Sequence, residues 1–149
     1  MKLTQLLAII VLCASCNNSS NTNGRIPKSQ SDSLLADVLK SHDAAMSKME
    51  KIDGAKNKIQ HVIDSISNLS YSLQKSSRVY KMQLDSTFNR LTFANYAMEK
   101  WMNEFNMDTL KNNETERVHY LQSEKLKITR VNDVMLSSLK KADSVLNKK

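Results

Sequence analysis

The sequence contains very few of the residues that build tight turns. Its 149 residues include two Gly and one Pro, and aromatic side chains make up 5%. Because Gly and Pro dominate hairpin turns, this scarcity argues against sheets with many hairpins and favours a few long helices. A chain of this length forms one domain, and its small aromatic content suits a narrow helical core.

Cysteine is equally scarce, and both cysteines lie within the first 16 residues. This segment has the organisation of an export signal, with Lys2, an apolar run over residues 3–12 and small residues before Cys16. The apolar run would rise about 15 Å as a helix, half of a hydrocarbon core, which is too short for a permanent membrane span. We therefore predict a signal peptide over residues 1–15. An ordinary secretory signal cut near Ser15 is the alternative.

The end of this signal resembles a bacterial lipobox, in which a small residue precedes a cysteine that becomes acylated. Ser15 and Cys16 match this pattern, whereas Cys13 stands where lipoboxes usually have Leu. The resemblance implies that Cys16 carries acyl chains, palmitate among them, and is the first residue of the mature protein. Several such chains, at about 0.8 kcal/mol per buried CH₂, would hold the protein stably on a membrane. With Cys16 lipidated, no cysteine pair is left for an intramolecular disulfide.

Residues 16–30 are rich in Asn and Ser and carry few apolar side chains. Such a segment cannot bury enough surface to fold, so it predicts a disordered tether with a reach of roughly 20 Å. No acidic stretch follows Cys16, whereas in lipoproteins of the Bacteroidota such a stretch resembles a surface-export tag. The expected location is therefore the cell envelope, on a membrane and facing the periplasm.

From residue 31 onward, apolar side chains recur at alternating steps of three and four residues, the spacing of an amphipathic helix. The first helix is predicted to begin at Ser31 or Ser33, since either can cap its N-terminus. The phase of the apolar stripe continues across Gly54, where a bend is expected. The predicted length of this helix is therefore roughly 35 to 40 residues.

Two segments rich in Ser and Asn, around residues 67–77 and 106–113, predict the chain reversals, because these side chains compete for backbone hydrogen bonds. Asn113, with Glu116 three positions later, predicts a capping box at the start of the third helix. Residues 31–149 are therefore predicted to form an all-α domain. We expect an elongated three-helix antiparallel bundle with up-down-up order, or a long helical hairpin.

Two polar residues, Lys125 and Asn132, fall on the apolar stripe of the third helix. Polar side chains at such positions cost stability, but they can fix register and oligomeric state in helix assemblies. Their placement therefore predicts a role in aligning the helices.

The predicted turns bring His and Met side chains to the same level of the bundle, and these side chains form the candidate site. Folding the chain near residues 73 and 109 brings segments 42–49 and 97–102 level with residues 118–119. Within each segment the spacing puts the side chains on one helical face. The candidate site residues are His42, Met46, Met49, Met98, Trp101, Met102 and His119.

Thioether and imidazole groups suit Cu(I), which soft donors select, and a Trp ring can add a cation–π contact. Haem held by one Met and one His is a second metal hypothesis. It is disfavoured because three slim helices leave little room for a porphyrin. Met is also a flexible filler of helical cores, so packing alone is the alternative explanation of the Met-rich faces.

Catalytic sites are not indicated by the sequence. Glu116 and His119 match half of the carboxylate-bridged di-iron pattern, but the sequence has no second pair. Gly is too scarce for a phosphate-binding loop, and a narrow bundle offers neither a cleft nor an oxyanion hole. We therefore expect no enzymatic activity.

The formal net charge of the chain is +7. Export to the envelope argues against nucleic acid as a partner. The positive excess favours anionic lipid head groups or acidic partners, or it only keeps the surface solvated.

The chain as a whole resembles a group of small, uncharacterised helical lipoproteins of the Bacteroidota, which automated labelling often names viral A-type inclusion proteins. The shared features are the lipobox, the His-Asp, Met and Lys-Met residues of segment 42–49, segment 98–102 with its Trp, and a Lys-rich last helix. The resemblance covers most of residues 35–147. It implies a helical lipoprotein but no viral role, established activity or site residues.

The sequence thus predicts a membrane-anchored lipoprotein that acts as a non-enzymatic helical interaction or structural module. Its expected partner is an envelope protein of unknown identity or a second copy of the chain. The alternative is a soft-metal protein that binds or buffers copper through the His and Met cluster. The first interpretation requires no cofactor.

Overall fold

The computed structural model of the protein describes residues 29–147. Four helices follow one another along the chain, namely α1 (Gln30–Ser67), α2 (Tyr71–Ser76), α3 (Arg78–Glu104) and α4 (Glu114–Leu146). The six-residue α2 connects the first two long helices, and each of the three long helices packs against the other two. The prediction of an all-α three-helix bundle is confirmed.

Contacts between distant residues establish the order of the helices as up, down, up. Lys125 on α4 pairs with Asp37 near the start of α1, and Asn132 bonds Ser41, so α1 and α4 run in the same direction. Tyr80 near the start of α3 bonds Val145 near the end of α4. The middle helix is therefore antiparallel to the other two.

The core follows a seven-residue repeat in all three long helices. Fully buried apolar side chains recur at this interval, which is the 3.5-residue periodicity of left-handed coiled coils. These residues are Val38, Ala45, Ile52 and Ile59 on α1, Leu84, Leu91 and Met98 on α3, and Leu121, Ile128, Met135 and Ala142 on α4. Between residues 29 and 147, no helix has both the length and the apolar character needed to cross a bilayer.

The first helix begins slightly earlier than predicted. Ser29 is its N-cap: the Ser29 side chain accepts from Asp32 N–H at 3.0 Å, and the Asp32 carboxylate accepts from Ser29 N–H at 3.3 Å. The predicted caps at Ser31 and Ser33 are therefore wrong. Ser31 is buried and instead donates its hydroxyl and its N–H to Glu114 on α4, at 2.7 and 3.0 Å. These bonds lower the pKa of Glu114.

The predicted signal peptide over residues 1–15, the lipidated Cys16 and nearly all of the tether lie outside the described residues. The end of the tether overlaps them at Ser29 and Gln30, which belong to the start of α1. Within α1 the helix runs unbroken through Gly54.

Both reversals lie where Ser and Asn accumulate. In the first, the Gln74 side chain donates to Ser67 O at 2.9 Å and to Leu69 O at 2.8 Å, so an amide side chain closes a turn that lacks Gly and Pro. In the second, the Asn113 side chain accepts from Glu116 N–H at 3.2 Å, which confirms Asn113 as the N-cap of α4.

The two polar residues predicted to align the helices both bridge α4 to α1. Asn132 donates to Ser41 O at 2.7 Å and accepts from Lys48 Nζ at 2.9 Å. Lys125 Nζ lies 2.6 Å from Asp37 Oδ2, and this hydrogen bond and charge lower the pKa of Asp37. Each bond joins specific residues of two parallel helices, so a shift of one helix along the other would break them.

Candidate functional site

Three of the seven predicted site residues meet at one cavity. His42 from α1 and Trp101 and Met102 from the end of α3 contribute to its wall. The cavity has a volume of about 260 Å³, and its other lining residues are Leu39, Phe105 and Met107. Typical ligand pockets span roughly 300–1,000 Å³, so this cavity suits an ion or a small ligand better than a porphyrin.

A row of rings lies behind this cavity. The ring centroids of His42 and Trp101 are 5.8 Å apart, those of Trp101 and Phe105 are 4.8 Å apart, and those of Phe105 and Tyr120 are 6.3 Å apart. Trp101 and Phe105 lie one helical turn apart, so their side chains fall on the same side of α3. The Tyr120 hydroxyl accepts from Asn106 N–H at 2.9 Å. Side chains from all three long helices thus close this end of the bundle.

A buried carboxylate, which the sequence analysis missed, orients the Trp ring. Trp101 Nε1 donates to Glu124 Oε2 at 3.0 Å, while Lys127 Nζ lies 2.7 Å from Glu124 Oε1. Glu124 is only 3% exposed, and its hydrogen bond raises the pKa of Lys127. The sequence did indicate that this carboxylate would be buried, since Glu124 lies between Leu121 and Ile128 on the apolar stripe of α4.

The other four predicted site residues do not line this cavity. Met98 is fully buried in the core and Met49 is half-buried against it, whereas Met46 is 40% exposed and His119 is exposed. In residues 29–147, no three His, Cys, Asp or Glu side chains are grouped so that they could hold a metal ion. Copper binding through thioethers stays a prediction, with His42 and Met102 as the predicted ligands that share the cavity.

A second surface, absent from the sequence analysis, lies on the outer side of α3. Val79 is 69% exposed, Met82 61%, and Phe93 and Tyr96 57% each. We call these four residues the α3 patch. They form two pairs, each spaced by three residues and the pairs three helical turns apart, on the side of α3 opposite the core stripe, and this spacing was the signal in the sequence.

The α3 patch borders two open grooves between α3 and α4. Met82 and Phe93 line the larger one, of about 780 Å³, together with Val134. Phe93 and Tyr96 line the smaller one, of about 280 Å³, together with Val131. Phe93 belongs to both grooves, and polar residues, among them Ser86 and Asn89, separate it from Met82 along the larger one.

Charges of both signs flank the α3 patch. Lys81 Nζ lies 3.1 Å from Asp85 Oδ2 beside Met82, and Lys100 Nζ lies 3.6 Å from Glu104 Oε1 beyond Tyr96. Both pairs are partly exposed, so they contribute little to the stability of the monomer.

Comparisons of the chain with protein-family models, curated proteins and solved structures gave no match. Its function therefore has to be inferred from its own residues.

Proposed function

We propose that the protein is a lipid-anchored, non-enzymatic interaction module of the cell envelope that pairs with a second copy through the α3 patch. The observation that supports this proposal is the exposure of four large apolar side chains on one helical face. Contiguous apolar patches with polar rims are uncommon on monomeric proteins and mark interaction surfaces.

The charges beside the patch favour a second copy as the occupant. If two α3 helices pair in antiparallel directions, centred between Thr92 and Phe93, then Asp85 of one copy faces Lys100 of the other. In the same register, Lys81 faces Glu104. A two-fold symmetric interface must be complementary to itself. This register pairs opposite charges at both ends and brings the two Phe93 rings together at the centre with Tyr96 beside them, whereas Val79 and Met82 lie at the edges of the interface, opposite residues 106 and 103.

This pairing also constrains how the protein lies on a membrane. The 38 residues of α1 span about 57 Å, and antiparallel pairing puts the N-termini of the two copies at opposite ends of the dimer. Both tethers reach one bilayer only if the helices lie along its surface. A dimer anchored in this way presents one broad side to the periplasm.

Replacing Phe93 with Ser is expected to weaken dimer formation about 30-fold, because a central apolar contact at an interface contributes about 2 kcal/mol or more. Sedimentation equilibrium of the detergent-solubilised full chain measures this change. The matched control is Leu126→Ser: Leu126 is 61% exposed and lines neither α3–α4 groove. A wild-type chain that remains monomeric, or an equal loss in the control, would contradict the proposal.

The proposed register has its own test within the same experiment. Asp85→Lys places two cations opposite each other and is expected to weaken the dimer. Adding Lys100→Asp restores opposite charges across the interface, so the double variant is expected to recover affinity. If there is no recovery, this register is wrong.

Copper binding is the second candidate function, supported by the surroundings of His42. Its Nδ1 lies 3.0 Å from Asp43 Oδ1, so a proton on Nδ1 leaves the lone pair of Nε2 for a metal. The cavity beside the ring is also lined by two thioether side chains, Met102 and Met107. An imidazole with two thioethers is a donor set suited to Cu(I).

The expected result is that Cu(I) stays with the wild-type chain after desalting and is lost when His42→Ala is combined with Met102→Ala. Met46→Ala is the control, because Met46 is exposed and does not line the cavity. Retention by the double variant, or no retention by the wild type, would rule out this function.

A further inference from the structure

A groove on a different side of the bundle, between α1 and α4, combines an apolar floor with basic rims. Its volume is about 460 Å³. The floor includes Gly54, Ala55, Leu136 and Leu139, and the rims carry three lysines. These are Lys51 and Lys58 on α1 and Lys140 on α4, and we call this surface the basic groove.

The three lysines lack partners within residues 29–147. None of them forms an ion pair or a side-chain hydrogen bond there, whereas Lys125 and Lys127 on α4 pair with Asp37 and Glu124. Asp143 is the single acidic residue that lines the groove. The groove therefore has a positive balance that the described part of the protein does not neutralise.

Gly54 leaves space in the groove for an occupant. Gly lowers helix stability in the middle of a helix, and a Cβ atom at position 54 would meet nothing within 4 Å. Packing within the bundle thus gives no reason for Gly at this position. Its absent side chain leaves the α1 backbone open at the groove floor, where another backbone can approach closely.

We propose that the basic groove binds an amphipathic helix of another protein, with apolar side chains toward the floor and acidic side chains toward the rims. Helices commonly dock into grooves of this kind by their apolar face. Lys51 and Lys58 lie two helical turns apart, about 10.5 Å along α1. Two carboxylates seven residues apart on a docked helix have the same separation.

Charge argues against a second copy of this chain as the occupant. A symmetric pairing of two basic grooves would bring lysines against lysines, and like charges across an interface are unfavourable. The basic groove and the α3 patch therefore bind different partners, and each can be tested without the other.

The test uses the full chain in phosphatidylcholine nanodiscs and two synthetic 21-residue helices labelled with fluorescein. Both peptides carry Leu at heptad positions a and d, and they differ in having Glu or Lys at positions e and g. We expect the Glu peptide to bind about tenfold more tightly than the Lys peptide, and increasing salt to reduce this preference. Empty nanodiscs provide the blank.

Replacing all three rim lysines with Gln is expected to weaken binding of the Glu peptide about tenfold. The control variant carries Gln at Lys75, Arg78 and Arg130, which are exposed cations elsewhere on the bundle, so its net charge is the same. The control is expected to bind like the wild type. An equal loss in both variants would show that only net charge matters and would overturn the proposal.

Gly54→Leu separates binding from folding. We expect this variant to melt at a higher temperature, since Leu favours the helix, yet to bind the Glu peptide more weakly because its side chain occupies the groove floor. Unchanged binding would overturn the proposal. Binding to phosphatidylglycerol vesicles that depends on the rim lysines, with no binding of the Glu peptide, would also overturn the proposal. That result would assign the groove to a membrane surface.

Discussion

Trp101→Ala is expected to lower the free energy of unfolding by about 3–5 kcal/mol, the cost of deleting a large buried ring. Trp101 is 5% exposed and its ring stacks on Phe105. Its loss also leaves the buried Glu124 carboxylate without the indole donor. Urea unfolding followed by circular dichroism measures the change, and a loss below about 1 kcal/mol would show that the rings contribute little.

Trp101→Phe separates the hydrogen bond from the packing. This variant keeps an aromatic ring but removes the indole N–H, so an unfolding free energy lower by about 1–3 kcal/mol is expected from the unsatisfied carboxylate oxygen. Because the two side chains act as a pair, Glu124→Leu is expected to lower the free energy of unfolding less in the Trp101→Phe variant than in the wild type. Additive costs in this double-mutant cycle would contradict a specific Trp101–Glu124 interaction.

The three-helix bundle could be predicted because it depends on sequence patterns within each helix and each turn. Apolar residues at steps of three and four mark the buried faces, and the reversals need only a change to Ser-rich and Asn-rich composition. The N-cap of α1 was predicted wrongly, since Ser29 is chemically equivalent to the two predicted caps, Ser31 and Ser33. Ser31 is not the cap because it donates hydrogen bonds to Glu114, a residue 83 positions away along the chain.

His42 and Trp101 were predicted to lie at the same level of the bundle, and they do, but several other candidate side chains project in other directions. Reflection about the turns correctly brings His42 close to Trp101, whose ring centroid is 5.8 Å away. It does not determine rotation about each helix axis. Ala45 takes the buried position of the seven-residue repeat, so Met46, one position later, is rotated outward and is 40% exposed. Packing angles between helices decide this rotation, and the spacing along one helix does not contain them.

The α3 patch and the basic groove show a related limit. The sequence of α3 contains a second set of apolar residues opposite the core row, and the core row accounts for the helical period by itself. The second set can be recognised as a surface only from the fold, in which none of the helices within residues 29–147 covers Phe93, which is 57% exposed. Likewise, the net charge of +7 predicts acidic partners only in general. In the folded protein Lys51, Lys58 and Lys140 line one groove, so part of the positive charge is concentrated there.

Arg117 bonds the backbone of Met107, which lines the candidate cavity. Its position at the start of α4 is electrostatically unfavourable. The positive end of the helix dipole lies in this first turn, where a cation costs stability. Arg117 is nevertheless 6% exposed, and its guanidinium donates to Thr109 O at 2.7 Å and to Met107 O at 3.1 Å. The pKa of Asp108 is lowered mainly by Lys111 and that of Glu114 mainly by its hydrogen bonds from Ser31, and the charge of Arg117 adds a smaller effect to both. The cation therefore holds the α3–α4 loop.

Arg117→Met is accordingly expected to lower the free energy of unfolding by about 2–3 kcal/mol, since hydrogen bonds to a charged group contribute about 1.5–3 kcal/mol and Met keeps the packing volume. Faster amide hydrogen exchange is expected in residues 106–113, while exchange in the middle of α1 changes only with global stability. Arg117→Lys should recover little, because one ammonium cannot reproduce the two directed donors of the guanidinium. Full recovery by Lys would show that charge alone holds the loop. Since Met107 lines the cavity beside His42, a loosened loop would also weaken any Cu(I) binding there without removing a ligand.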